Sequence, residues 1–305
     1  MPGDLGDSRF NAVILEHLYL WTIGKADHLW SPDFMYPFKG VLAFSDNHFG
    51  SGPIYVVLRL VGLDRYVSFQ SWFLAAHVIS LASAYYALRR WKYAPIEAAF
   101  GAFVFAFALT ILAKAGHSQL LYRFPIPLAL LSAWQALACG KTEKLGWVAI
   151  WTAWQFLCSI YLGIFLLMLL GAFGSTVLIA RRGCPLNEAI QRFATLKRVT
   201  AAKFASALVL SASVFGVLLC NYARIQHLYG LKRHYGEVFA MLPRIQSYLA
   251  IIPEIKGLEN WTSPALIKHG DDTEQIEIYR RTDPRNPEAG RRRCVRCGPM
   301  PRAWD

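Results

Sequence analysis

Ionisable and amide side chains gather in three short stretches of this chain, two of them close to its start. The first runs Gly3-Asp4-Leu5-Gly6-Asp7-Ser8-Arg9-Phe10-Asn11 and continues into Leu15-Glu16-His17. The second is Phe44-Ser45-Asp46-Asn47-His48, and the third holds His117, Gln119 and Arg123. Carboxylates such as Asp4, Asp7 and Asp46 can take a proton as general base or ligate a divalent metal. Arginine and histidine beside them suit an anionic ligand or a departing charged group. A solvated loop is the competing reading of the same residues.

The remainder of the chain is apolar. Hydrophobic residues make up 55% and charged residues 17%, with a mean hydropathy of +0.30, against about 25% charged in an ordinary soluble domain. The apolar residues come in blocks, and crossing hydrocarbon takes about 20 residues. Ser68–Leu88, Ala98–Ala113, Phe124–Ala138 and Phe204–Tyr222 lack Asp, Glu, Lys and Arg. Leu145–Ala180 is uncharged for 36 residues, too long for one span, so a break at Tyr161-Leu162-Gly163 is expected to make it two. Pro125 and Pro127 are expected to kink or open the third block. Pro53–Leu63, which contains Arg59, reads as an interfacial or re-entrant helix. The expected fold is an all-α polytopic membrane protein with about six transmembrane helices and an extracytoplasmic interfacial helix, since open β structure cannot satisfy its backbone in lipid.

Lysine and arginine in short loops set the orientation. Arg89, Arg90 and Lys92 follow the first span, Lys141 and Lys144 the third, and Arg181, Arg182, Arg192, Lys197 and Arg198 the fifth. These loops fall on one side only if Leu145–Ala180 is two helices. The loop from Lys114 to Arg123 on the other side carries only those two charges. The basic side is the cytoplasmic one, so the acidic start faces outward. The expected divisions are 1–67, an extracytoplasmic acidic loop with interfacial helices; 68–222, spans at 68–88, 97–114, 122–139, 145–161, 164–181 and 203–222; 223–280, an extracytoplasmic segment; and 281–305, a disordered basic tail.

The net charge of +12 does not point to nucleic acid. Eight Arg against three acidic residues between Arg280 and Asp305 supply +5 of it, and most of the rest sits in cytoplasmic loops. No basic helix is interleaved with aromatics. Cys139, Cys158 and Cys220 lie in or at the ends of spans, Cys184 lies on the reducing side, and Cys294 and Cys297 form a single CxxC, which supplies half of a structural zinc site. Asn260-Trp261-Thr262 fits a glycosylation sequon, a weak motif. With Asp4 so close to Met1 and an irregular Pro/Arg-rich end, the chain is expected to be truncated at both ends.

The order GDxxDSRFN, LEHxYxW, YPFKGVLAFSDNHFGSGPIY and AGHSQLLYRFPIPL resembles bacterial polytopic proteins of the GT-C glycosyltransferase superfamily, near the YfhO-type and dolichyl-phosphate-mannose-type mannosyltransferases. The resemblance covers roughly residues 3–250. It implies a GT-C-like fold in the bacterial cytoplasmic (inner) membrane and a polyprenyl-phosphate sugar donor bound at the outer face of the lipid bilayer. It also implies an acidic first loop that acts as base or holds a divalent cation such as Mg or Mn. Such proteins have a span before this loop and several more after the sixth, which this sequence lacks.

Sugar transfer from a lipid phosphate needs an acceptor hydroxyl deprotonated and a departing phosphate stabilised. The candidates for catalysis are Asp4, Asp7 and Asp46, with Asp4 and Asp7 the metal ligands if there is a metal. Candidates for substrate binding are Arg9, Glu16, His17, His48, His117, Gln119 and Arg123. Each has a plainer reading. Asp7 would be the N-cap of a helix from Ser8 to Ile23 that lies on the membrane surface through Val13, Leu15, Leu18, Leu20 and Trp21. Arg9, Glu16 and His17 would be its polar face, His48 would bond locally, and Arg123 would snorkel. His77, inside a span, is a functional candidate by default. A transporter or flippase would instead place polar groups at the midplane, where only His77, Gln135 and Gln155 stand; a non-catalytic membrane fragment would not need the acidic loop. A binding site further requires that the carboxylate of Asp4 or Asp7 share one outward-facing cavity with Asp46, or with His117 and Arg123.

Overall fold

The computed structural model describes residues 6–108, 111, 117–180 and 198–232. The chain divides into a unit Met1–Leu231 and a unit Lys232–Asp305, and all of the second except Lys232 lies outside the described residues. So do Asp4, Lys114, the segment 181–197, the CxxC and the basic tail 281–305.

All regular structure among the described residues is helical, with no strand. The helices are α1 (Asp7–Thr22), α2 (Gly52–Leu60), α3 (Arg65–Arg90), α4 (Pro95–Phe107), α5 (Pro125–Leu137), α6 (Leu145–Cys158), α7 (Ile160–Ala180) and α8 (Arg198–Tyr229). Three of them, α3, α7 and α8, are long and apolar enough to cross a membrane. Their length and composition are those of membrane spans. At 13 or 14 residues, α4, α5 and α6 reach only about 20 Å each at ~1.5 Å per residue.

Local chemistry accounts for most boundaries. Asp64 caps α3 by accepting from the backbone N–H groups of Tyr66 and Val67 at 2.7 and 3.1 Å, as an N-cap should. Glu97 reaches back to the Ala94 N–H at 2.8 Å and Pro95 opens α4. Of the two roles expected of them, Pro125 and Pro127 open the third block rather than kink it. They sit in the first turn of α5, where the missing N–H groups would have had no helical partner.

The uncharged run Leu145–Ala180 does break in two, but at Ser159 rather than at Tyr161–Gly163. Ser159 is extended, with φ −160° and ψ 128°. The chain turns back so closely that a Cβ on Gly163 would lie 2.6 Å from the Phe156 ring. Helix α1 also differs from expectation. Its Ile14, Leu15 and Leu18 are buried, and Leu15 and Leu18 pack with Tyr55, Phe69, Trp72 and Tyr122 in the core, whereas Val13 and Trp21 are exposed. The apolar stripe thus faces protein along most of its length.

The described helices pack in pairs, α3 on α4, α5 on α6, and α6 against both α7 and α8. The first 60 residues touch these helices at one set of ends. Trp72, near the start of α3, donates to the Ser51 carbonyl at 3.1 Å. Gly50 N–H donates to the Leu157 carbonyl, at the end of α6, at 2.8 Å. Tyr222 and Tyr229, at the end of α8, donate to the carbonyls of Ser45 and Lys39 at 2.7 and 2.9 Å.

Candidate functional site

The candidate residues are placed by α1, by the loop between α1 and α2, and by the segment 117–123 that precedes α5. Asp7 is the first residue of α1, and Gly6, not Asp7, holds the N-cap position with no side-chain cap bond. The Asp7 carboxylate instead meets His117 Nδ1 at 2.5 Å, with 47% and 46% of the two side chains exposed. In the first turn of a helix a carboxylate also benefits from the positive end of the helix dipole.

One turn further along α1, Asn11 joins the same segments. Its Nδ2 donates to Ser118 Oγ at 2.9 Å and to Gln119 Oε1 at 2.8 Å. Its Oδ1 lies 2.8 Å from His48 Nε2, which is therefore the donor and carries the proton. His48 is fully buried, and burial pushes its pKa down to about 4, so the ring is neutral at physiological pH. It sits at φ +58° and edge-on to Trp72. One carboxamide thus fastens α1 to segments 37 and more than 100 residues away.

Asp46 is only 2% exposed. Its Oδ1 accepts from the Ile160 backbone N–H at 2.6 Å and its Oδ2 from the Ser159 hydroxyl at 3.0 Å. The carboxylate therefore caps α7 from a residue over 110 positions earlier in the chain. Burial pushes its pKa up to about 6 despite the two hydrogen bonds, which oppose the rise. Asn47 braces the junction by donating to the Phe156 carbonyl at 3.2 Å. That leaves Asp7, among the described candidates, as the carboxylate open to solvent.

Arg123 stands out electrostatically. Its Nε and Nη2 are buried with no hydrogen-bond partner among the described residues. The guanidinium lies over the Phe105 ring, 5.2 Å from its centroid, and burial pushes its pKa down to about 10. It still carries its charge at neutral pH, with no counter-ion among the described residues. Gln155 repeats the pattern nearby: Nε2 donates to the Tyr122 carbonyl at 3.0 Å, while its buried Oε1 has no partner among the described residues. A buried unpaired donor or acceptor costs about 1–3 kcal/mol, more where it is charged.

Glu16 and His17 serve packing in this structure. Glu16 accepts from Tyr55 at 2.6 Å and from Arg59 through Nε at 3.0 Å and Nη2 at 3.1 Å, tying α1 to α2. Arg59 also lies over the Tyr19 ring, 4.7 Å from its centroid. His17 Nε2 lies 3.1 Å from the carbonyls of both His28 and Leu29. Arg9 is exposed, and its side chain makes no hydrogen bond or ion pair among the described residues. His77 Nδ1 faces the Ala106 carbonyl at 3.0 Å and stacks on Phe107, which satisfies it where α4 ends.

No group of three His, Cys, Asp or Glu side chains among the described residues is placed to hold a metal ion, and Asp4 lies outside them. Sequence reasoning did not single out Asn11, Ser118 or Ser159. The only signal was that Asn11 and Ser118 lie inside the quoted motifs. Compared with known proteins, the chain matches no family model, no curated protein and no solved structure.

Proposed function

We propose that this chain is a membrane glycosyltransferase-like protein of GT-C type that takes a sugar from a polyprenyl-phosphate donor at the outer face. The observation that carries the reading is the meeting of Asp7, Asn11, His48, His117 and Gln119 from three separate segments. Solvated loops have no reason to converge. In this reading Asp7 takes the acceptor proton and His117 orients it, as a half-exposed carboxylate and imidazole in contact are suited to do. Arg123, cationic and unpaired, receives the donor phosphate.

The six-span topology belongs to the same reading. The starts of α3, α5 and α7 and the ends of α6 and α8 meet the first 60 residues or the 117–123 segment. Helices α3 to α8 then alternate in direction, and 89–92 and 141–144 fall at the far ends, as the distribution of basic residues requires. The short α4, α5 and α6 cross through their flanking turns or by thinning the bilayer locally.

The test is transfer of labelled sugar from polyprenyl-phosphate mannose or glucose by the full chain in proteoliposomes. Asp7→Asn keeps the size of the side chain and removes the base, so the rate should fall by about a hundredfold or more. No transfer by the unsubstituted chain from either donor, or an undiminished rate in both Asp7→Asn and Asp4→Asn, overturns the proposal.

A further inference from the structure

The loop from Trp30 to Lys39, between α1 and α2, combines a fixed base with a bare aromatic tip. Its base is held from both sides. Phe34 meets Phe10 of α1 edge-on at 4.9 Å, Trp30 meets Tyr222 of α8 at 6.0 Å, and Phe38 meets Tyr229 at 5.6 Å. The Lys39 N–H donates to Tyr229 Oη at 2.9 Å, and Gly40 N–H donates to Ser31 Oγ at 2.9 Å. Between Phe34 and Lys39, Met35 and Tyr36 are 52% and 88% exposed, and Phe38 remains 54% exposed beyond its edge contact with Tyr229. A loop that only carried the chain through water would have no use for three large apolar side chains at its tip.

The height of the loop identifies what covers the tip. Its contacts on α8 run from Tyr222 to Tyr229, a rise of about 10 Å. That band lies just past the uncharged stretch 204–222 of a helix whose exposed side chains include Leu208, Val209, Leu210, Val217 and Leu219. The headgroup layer on one side of a bilayer is about 5–8 Å deep, so the two overlap. The band has the composition of that layer: Arg224, His227 and Lys39 are exposed beside Tyr222 and Tyr229, and Leu228 is 61% exposed. Asp33 is the acidic exception. Tyrosine and phenylalanine with neighbouring cations are the side chains that settle at the boundary between headgroups and acyl chains.

We infer that the Met35–Phe38 tip inserts into the phosphate-bearing headgroup layer of the bilayer, on the side where α8 ends. This surface is separate from the Asp7–His117 contact, and its lipid contact does not depend on the transferase reading. Held by α1 and α8 together, the tip fixes how deep the start of α1 lies relative to the lipid phosphates.

Photo-crosslinking tests the inference on the full chain in phosphatidylethanolamine–phosphatidylglycerol vesicles. Benzoylphenylalanine replaces Tyr36, an aromatic exchange at an exposed position that leaves the core untouched. A second variant carries it at Phe165 of α7, an exposed position on an apolar span, as the lipid-facing reference. The expected result is phospholipid adducts at position 36, found by mass spectrometry at a yield similar to that at 165. Adducts at 165 with none to lipid at 36, or adducts at 36 only to protein or to a second copy, would overturn it. Both variants keep Tyr222 and Tyr229, and a thermal unfolding midpoint matching the parent shows that each keeps the fold.

Discussion

Replacing Asp46 with Asn should make the protein more stable at neutral pH, and the gain should disappear in acid. Burial pushes this carboxyl from an ordinary 3.8 up to about 6. At about 1.4 kcal/mol per pH unit the difference amounts to about 3 kcal/mol. The folded protein binds this proton more tightly than the unfolded chain does. The stability it contributes is therefore fully present below about pH 4 and lost as the pH rises through about 6. The substituted carboxamide would keep an acceptor for the Ile160 N–H and offer an N–H to Ser159, both now 2.6–3.0 Å from Asp46. The pKa of about 6 already includes the two hydrogen bonds to the ionised carboxylate, which oppose the rise. The expectation is a gain of about 3 kcal/mol at pH 7.5 that shrinks to nothing by pH 4. Denaturant titration in mixed micelles, followed by tryptophan emission at several pH values, reads both quantities. A variant less stable than the parent at pH 7.5, or a difference that does not change with pH, refutes the reasoning. Either would mean that capping by the ionised carboxylate outweighs its loss of solvent.

Other substitutions probe the site and the helix junction. Asn11→Leu removes the carboxamide that bonds Ser118, Gln119 and His48, and should cost about 2–4 kcal/mol by leaving buried partners unpaired, measured in the same titrations. Arg123→Met relieves an unpaired buried guanidinium, so it should raise stability by about 1–3 kcal/mol; with donor in the transfer assay it should raise KM about tenfold or more, the worth of one charge-assisted contact. Snorkelling alone predicts no change in KM. Gly163→Ala puts a methyl group against the Phe156 ring and should cost about 1–3 kcal/mol. Gly174→Ala, with nothing within 4 Å, should instead be neutral or stabilising by up to about 1 kcal/mol, and equal effects from the two would show that the turn at Ser159 is not as tight as described.

Three helices of spanning length were legible, because long uncharged runs have few alternatives to a membrane-length helix. Where the long run breaks was not legible. Ser159 is one small polar residue in an apolar context, and the carboxylate that binds both Ser159 and the first N–H of the next helix, Asp46, lies over 110 positions earlier. The stripe on α1 shows a different blindness. Leu15 and Leu18 have the spacing of a lipid-facing helix, but hydropathy does not say whether the apolar partner is lipid or protein, and Trp72 and Tyr55 fill that place. Asp7 beside Ser8 reads as a cap by local rules, yet His117 claims its carboxylate across the fold. The ionisable residues were visible as a group from their types alone. Asn11, the neutral residue that joins three of the segments, looks like any polar position of a helix.

Labelling of substituted cysteines in sealed, right-side-out vesicles is the most direct test that the first 60 residues and the 117–123 segment share one side of the membrane, opposite the basic loops. Exposed positions serve best: Arg9→Cys and Lys39→Cys for one side, Lys92→Cys and Lys141→Cys for the other. With a membrane-impermeant maleimide, read above the labelling of the unsubstituted chain, positions 9 and 39 should react at once and positions 92 and 141 only after the vesicles are opened. Reaction of 39 and 141 from the same side would contradict the topology, and with it the outward-facing site.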